Sequence, residues 1–189
     1  MGAYMSMLWT YWFPNREYKL VMVGLDNAGK TTTLYKLHLG EVISTQPTIG
    51  SNVEQVTYKN LQFEIWDLGG QANLRPSWAT YYRSTDAIIL VVDSTDRARM
   101  GLVKTELFTL LEHEDLSSAC MLVFANKQDL KDAMTCAELT DALSLHSIKQ
   151  QDWHIQACTA TTGSGLSEGL GWIAQRVSGQ TEEQPATAT

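Results

Sequence analysis

The 189-residue sequence contains no run of about 18 consecutive apolar residues, so it offers no segment able to cross a bilayer as a helix. Its three cysteines, at 120, 136 and 158, show no CxxC or Cys/His metal spacing. An odd, scattered set excludes a disulfide framework and suits a reduced, cytoplasmic chain. Lys and Arg number 14 against 21 Asp and Glu, a net charge of −7. That balance excludes the basic surface needed for non-specific nucleic-acid binding, and attraction to anionic lipid by charge alone. No Lys or Arg precedes Arg16, so the N-terminal segment lacks the charged start of a secretory signal peptide. The final Ala-Thr-Ala-Thr presents no prenylation box. His38, His113, His146 and His154 show no ligand or catalytic spacing and read as ordinary helix or surface residues. Against these absences stands a chain that is 44% hydrophobic and long enough for one domain with a sizeable core.

The stretch Tyr18–Thr33 carries the clearest signal. A short apolar run, Leu20-Val21-Met22-Val23, feeds into Gly24-x-x-x-x-Gly29-Lys30-Thr31. This is the phosphate-cradling loop between a buried strand and a helix. Gly24 and Gly29 let the backbone turn tightly and bring its N–H groups to phosphate oxygens. Lys30 adds a point charge for the outer phosphates, Thr31 offers a hydroxyl to Mg²⁺, and the helix over about 29–39 aims its N-terminus at the anion.

Three further motifs follow in order. Gly40 to Gly50 reads as a loop through Pro47, and Thr48 within it could close over a γ-phosphate and add a Mg²⁺ ligand. Strands over about 52–58 and 61–67 meet at Lys59-Asn60. In the second, Leu61, Phe63 and Ile65 share the presumed core face, while Trp66 lies with Gln62 and Glu64 on the wetter one. A Trp there is either covered by a neighbouring loop or an anchor for a partner. The strand ends in Asp67-Leu68-Gly69-Gly70-Gln71. Asp67 can hold Mg²⁺ through water, Gly70 can offer its N–H to a γ-phosphate, and Gln71 is placed to orient an attacking water. The segment from there to Tyr82 carries Trp78, Tyr81 and Tyr82, an unusual aromatic content for a mobile loop.

The apolar run 86–93 predicts a strand buried on both faces. A helix over 97–113 follows, then a second such strand at 121–125 that ends in Asn126-Lys127-Gln128-Asp129. In that guanine-reading pattern Asp129 accepts from N1–H and the exocyclic amine, Asn126 organises the loop and reaches N7, and the Lys127 stem lies along the base. A helix over 135–146, a strand over 153–158 and a helix over 165–177, with Leu166, Leu170, Ile173 and Val177 on one face, complete the pattern. Near Cys158-Thr159-Ala160 a backbone N–H, that of Ala160, is expected to meet the guanine O6. Six strands alternating with helices predict an α/β fold, a mostly parallel sheet with helices on both faces and ligand loops at the strands' carboxyl ends. Residues 179–189 are polar and expected to be disordered.

Met1-Gly2-Ala3-Tyr4-Met5-Ser6 matches the N-myristoylation pattern, with Gly2 as acceptor. Met5, Leu8, Trp9, Trp12 and Phe13 then fall on one helical face before Pro14. One acyl chain binds membrane only marginally, and an apolar helix face would supply the second signal. The competing reading is a helix packed on the domain; hiding or releasing this face would switch membrane residence.

With G-L-D-N-A-G-K-T, P-T-I-G, W-D-L-G-G-Q, N-K-Q-D and C-T-A in this order, residues 2–178 resemble the Arf and Arf-like small GTPases. Ser51-Asn52-Val53-Glu54, Ser77-Trp78 and His113-Glu114-Asp115 look most like the Arf-like group numbered five. The resemblance implies a P-loop small GTPase fold over 15–178 preceded by a myristoylated amphipathic helix over 1–14. It implies cycling between GDP and GTP through an exchange factor and a GTPase-activating protein, a hairpin at 52–67 that slides in register, effector or tether proteins, and a Golgi or endosomal membrane setting. The nucleotide-binding set along the motifs is Gly24, Asp26, Asn27, Ala28, Gly29, Lys30, Thr31 and Thr32, then Thr48 and Gly70, then Asn126, Lys127, Asp129, Thr159 and Ala160. The resemblance implies Thr31, Thr48 and Asp67 as the Mg²⁺ ligands, Gln71 as the catalytic residue, and Trp66 and Tyr81 as the effector contacts.

Two departures stand out. Many Arf proteins carry Phe where Ser51 stands, so the resemblance does not by itself assign Arf effectors, although Trp66 and Tyr81 remain. Asp26 replaces the Gly of many other small GTPases and is usual in Arf proteins. Residues 41–50 contain no Arg, so no arginine finger comes from that segment, and slow hydrolysis with reliance on a partner's Arg is expected. Arg75 and Arg83 flank the second loop and could serve instead, with surface pairing as the competing role. Two other classes fit the phosphate loop. A metabolic phosphotransferase or ATPase is disfavoured by Asn126 and Asp129, and a nucleotide-holding interaction scaffold without hydrolysis is disfavoured by Gln71.

Overall fold

Leu20, Val21, Met22 and Val23, all fully buried, form the heart of strand β1 (Glu17–Val23) in the computed structural model, which describes residues 17–40 and 48–179. The expected N-terminal helix over 1–14, residues 41–47 of the first loop and the tail beyond Gly179 lie outside the described residues. Helix α1 (Lys30–Leu39) follows β1. The antiparallel hairpin of β2 (Ser51–Tyr58) and β3 (Leu61–Leu68) turns at Lys59, which adopts φ 53°. Then come β4 (Ala87–Asp93), α2 (Met100–Leu111), β5 (Cys120–Asn126), α3 (Cys136–Ala142), β6 (Trp153–Ala157) and α4 (Leu166–Val177).

The six strands lie in the order β2-β3-β1-β4-β5-β6, and only the β2–β3 pair is antiparallel. β1 sits between β3 and β4, so the chain leaves it in opposite directions on the two sides. Sheets of this kind bind ligands beyond the carboxyl ends of the strands at that reversal. The period-2 alternation of the strands divides the core in two. Leu20, Met22, Phe63, Ile65 and Phe124 face α1 and α4, while Val21, Val23, Ile88, Leu90 and Val123 face α2 and α3. β4 and β5 are buried at every residue, as their unbroken apolar runs predict.

Three expectations shift. The helix expected over 97–113 begins as a 3₁₀ turn at Arg97–Arg99, with the Asp96 side chain accepting from the Arg99 N–H, and is α-helical over Met100–Leu111. The helix expected over 135–146 ends at Ala142, because Ser144 adopts a left-handed backbone and a short 3₁₀ turn, Leu145–Ser147, follows. The aromatic segment 71–82 is anchored rather than loose. It contains a 3₁₀ helix over Arg75–Tyr81, and Trp78 and Tyr82, each 4% exposed, belong to the core under α2. Among the described residues no helix is long and apolar enough to cross a membrane.

Candidate functional site

The loop after β1 is shaped by contacts that tolerate no side chain. Gly24 has φ +147°, and a Cβ there would lie 2.3 Å from the Val91 carbonyl oxygen of β4. Gly29 has φ +94°, and its Cβ would meet the Asn126 amide nitrogen at 2.4 Å. Gly29 also caps α1 without any side-chain acceptor, leaving the first-turn N–H groups facing outward from the helix end. Lys30 is 6% exposed, and its Nζ donates to the Leu25 carbonyl at 3.0 Å, so the ammonium lies folded across the loop. Burial pushes its pKa below 10.5, opposed by the nearby Asp67 and Asp26 carboxylates. Asn27, at φ 62°, is exposed at the loop's outer side, and Ala28 is buried beneath it. Thr32 is half-buried in the first turn of α1.

The three residues expected to hold Mg²⁺ converge. The Thr31 hydroxyl donates to Asp67 Oδ2 at 2.6 Å, the Thr48 hydroxyl reaches the same oxygen at 3.2 Å, and the two hydroxyls lie 2.9 Å apart. Asp67 is fully buried, and its Oδ1 has no hydrogen-bond partner. Burial raises its pKa, against the bonds from Thr31 and Thr48 and the charge of Lys30. An orphaned buried carboxylate oxygen beside two hydroxyls fits a hard divalent cation whose remaining ligands are water and phosphate. Among the described residues no cluster of His, Cys, Asp or Glu could hold a metal by itself.

The base-side loop is tied to the phosphate loop by one side chain. Asn126, 1% exposed, donates from Nδ2 to the Ala28 carbonyl at 2.9 Å and accepts at Oδ1 from the Ala160 N–H at 3.0 Å. The Ala160 N–H, assigned to O6 from sequence, is thus turned towards Asn126. Thr159, 7% exposed, pairs with Ser164 and holds the same loop. Lys127 adopts φ 67°, and its Nζ reaches Asp93 Oδ2 at 2.6 Å. Asp93 pairs with Asn126 across β4 and β5, so the register sets this contact. Burial would raise the Asp93 carboxyl, but the bonds from Lys127 and Thr95 outweigh it and hold the group below its ordinary value. Gln128 donates to Ser94 Oγ and to the Met134 carbonyl, both at 2.9 Å, which leaves Asp129 exposed at the rim.

Not every assigned residue joins this centre. Gln71 is exposed, with only its backbone carbonyl engaged, accepting from the Leu74 and Arg75 N–H groups. Trp66 and Tyr81 meet each other instead, ring centroids 5.6 Å apart, with the Lys19 ammonium 5.5 Å over the indole. Trp66 is therefore half-covered by its neighbouring loop. Asp26 is held by Arg99, 2.9 Å to its carboxylate and 3.2 Å to its carbonyl. Arg75 is held by Glu106 at 3.1 Å and lies 4.0 Å from Asp26; Arg83 is exposed. The partners Asp93, Arg99 and Glu106 were not legible in the sequence, because each acts across elements with no spacing rule to link them.

The profile of the "ADP-ribosylation factor family" matches residues 4–177. The chain is 56% identical over 180 residues to ADP-ribosylation factor-like protein 5 of Dictyostelium discoideum, covering 94% of this chain and 98% of that one. It is 53% identical to ADP-ribosylation factor-like protein 5A of Mus musculus and 52% to that of Homo sapiens, each over 177 residues with the same coverage. Among solved structures it is similar to the Arl6 BBS3 small GTPase from Trypanosoma brucei with bound nucleotide analogue GppNp. The TM-score is 0.82 and the identity 36%, over 88% of this chain and 100% of that chain.

Proposed function

The chain belongs to the ADP-ribosylation factor family and is a small GTPase, and from that premise we propose that its site works as a guanine-nucleotide switch. The observation that carries this reading is the convergence of Thr31, Thr48 and Asp67 beside the buried Lys30, at the mouth of a loop that Asn126 ties to the base side. In this reading the loop N–H groups and Lys30 bind the phosphates, and Asp129 reads the guanine edge. Thr31, Thr48 and Asp67 would hold Mg²⁺, which supplies charge neutralisation between the outer phosphates. Thr48 and Gly70 are the two points where a γ-phosphate would tie the two loops to the nucleotide, and its loss on hydrolysis would release those contacts.

Gln71 orients water in this scheme, and its exposure in the present conformation gives substance to the competing reading, a scaffold that holds nucleotide without hydrolysing it. With Arg75 committed to Glu106 and no Arg between 41 and 50, hydrolysis is slow until a GTPase-activating protein supplies an arginine, an effect worth about 10³–10⁵ in rate. The Trp66–Tyr81 pair is the surface we assign to effector or tether proteins. Gly2 and the apolar face of residues 5–13 are assigned to reversible membrane attachment in vesicle trafficking at Golgi or endosomal membranes, loaded by an exchange factor.

Competition binding checks the nucleotide reading: GTP and GDP should displace a labelled guanine nucleotide, and ATP at 100-fold excess should not. Displacement by ATP would move the chain to the phosphotransferase class. Single-turnover hydrolysis then separates switch from scaffold. With an activating protein present the native chain should turn over, and Gln71→Leu should be slower by on the order of 10²-fold or more. Equal non-zero rates for the two would remove Gln71 from the water-orienting role, and only a native chain with no turnover above the protein-free rate would favour the scaffold.

A further inference from the structure

The 3₁₀ helix Arg75–Tyr81 grips the two glycines that end β3. Trp78 Nε1 donates to the Gly69 carbonyl at 2.9 Å, from a ring that is 4% exposed. Arg75 Nε donates to the Gly70 carbonyl at 3.0 Å, and its other arm is fixed by Glu106 of α2 at 3.1 Å. These two bonds set the orientation of two successive peptide planes. The Gly69–Gly70 peptide is trans, so drawing the Gly69 oxygen towards Trp78 turns the Gly70 N–H the opposite way.

Gly70 itself is pressed onto the phosphate loop. A Cβ on it would fall 2.5 Å from the Asp26 nitrogen, the Gly24 oxygen and the Leu25 carbonyl carbon alike. Gly70 is buried, and among the described residues its N–H has no protein acceptor. A buried backbone N–H without a partner is rare, and beside a phosphate loop it is suited to an anionic oxygen.

We propose that Trp78, seconded by Arg75 and Glu106, is a positioning residue for the third phosphate: the indole N–H aims the Gly70 N–H, so that this turn decides how strongly GTP is preferred over GDP. The inference rests on Gly70 meeting the γ-phosphate, as proposed above. A core role alone would not make Trp78 sensitive to which nucleotide is bound. The Gly69 oxygen has one indole donor, and losing it frees the peptide plane to turn. That penalty is felt where the Gly70 N–H is used, in the triphosphate complex, and not in the diphosphate complex.

The test uses the full chain and Trp78→Phe, which keeps an aromatic ring and removes the donor. Arg75→Ala and Glu106→Gln accompany it; Gln at 106 retains an acceptor for Arg75. Affinities for GDP and for a non-hydrolysable GTP analogue are measured together with the amide NMR signal of Gly70. Trp78→Phe should lower the analogue-to-GDP affinity ratio about tenfold, as expected for one lost hydrogen bond to a charged group, with GDP affinity within about twofold of native. Arg75→Ala should act in the same direction and Glu106→Gln should stay near native. In the native chain the Gly70 amide should shift on exchanging GDP for the analogue, and this shift should shrink in Trp78→Phe. Equal loss for both nucleotides, or a native shift retained in Trp78→Phe, overturns the positioning role. No shift of the Gly70 amide in the native chain instead removes the γ-phosphate reading of Gly70, and the inference with it.

Discussion

Lys30→Ala is expected to weaken GDP and GTP binding by on the order of 10²–10³-fold, the size seen when one member of a buried, hydrogen-bonded charge pair is truncated. The ammonium is nearly inaccessible, donates to the Leu25 carbonyl, and lies where Asp67 and Asp26 both pull on it. Burial holds its pKa below 10.5 in the free protein, so charging Lys30 opposes folding. The ligand-free fold therefore gains stability as pH rises from the depressed value towards 10.5. Bound phosphate favours the ammonium and moves the pKa back up. Between the free and bound values binding takes up a proton, and affinity falls as pH rises through that window. Calorimetry in buffers of different ionisation enthalpy reads the uptake directly. Lys30→Ala should lose both the affinity and its alkaline pH dependence, while Lys30→Arg keeps a charge but not the compact reach over the loop. Unchanged affinity in the alanine variant would sever Lys30 from the phosphates.

The parts of this molecule that were legible in its sequence are those governed by local rules. β4 and β5 were readable because a strand buried on both faces needs an unbroken apolar run. Gly24, Gly29 and Gly70 were readable because a backbone that must approach phosphate closely needs glycine, and a Cβ would fall within 2.5 Å of backbone at Gly24 and Gly70 and of the Asn126 side chain at Gly29. Asn126 was expected to organise its loop, but its reach to Ala28, 98 residues away, is a property of the β1-β4-β5 order and not of any spacing. The same holds for Lys127 and Asp93, which meet only because β4 and β5 pair in register. Trp78 shows the limit most plainly. A Trp nine residues past Gly69 in an irregular segment carries no periodicity, and its aromatic neighbours only marked the loop as unusual. Its burial under α2 follows instead from the 3₁₀ turn that starts at Arg75, anchored to Glu106. Long-range polar contacts of this kind become visible only when the sheet has brought the strand ends together.

Asp67→Asn is expected to produce a protein more stable than the native one when nucleotide and metal are withheld, and nearly blind to Mg²⁺ when nucleotide is present. Burial raises the Asp67 pKa above 3.8 even against Thr31, Lys30 and Thr48, so the folded state holds the proton more tightly than the unfolded chain does. That contribution is fully present below the unfolded value and disappears as pH rises through the folded one. Above that folded value the ionised carboxylate, with Oδ1 unpaired, opposes the fold. An amide of the same shape lacks this charge, and the nucleotide-free variant should melt roughly 2–4 °C higher, the shift that about 1 kcal/mol produces in a chain of this size. A divalent cation held at this carboxylate through water, as proposed, would supply the missing partner and reverse the balance. Added at about 100 times its dissociation constant in the presence of GDP, Mg²⁺ should stabilise the native chain by about 2.7 kcal/mol and slow GDP release. The variant should show little of either effect, and chelation should bring the two release rates together. Calorimetric melting at pH 7 with and without the metal measures the first half, and displacement of a fluorescent GDP analogue the second. If the variant melted lower than native without ligands, the buried carboxylate would be a source of stability rather than a strained metal ligand. If it retained the full response to Mg²⁺, Thr31 and Thr48 would hold the ion without Asp67.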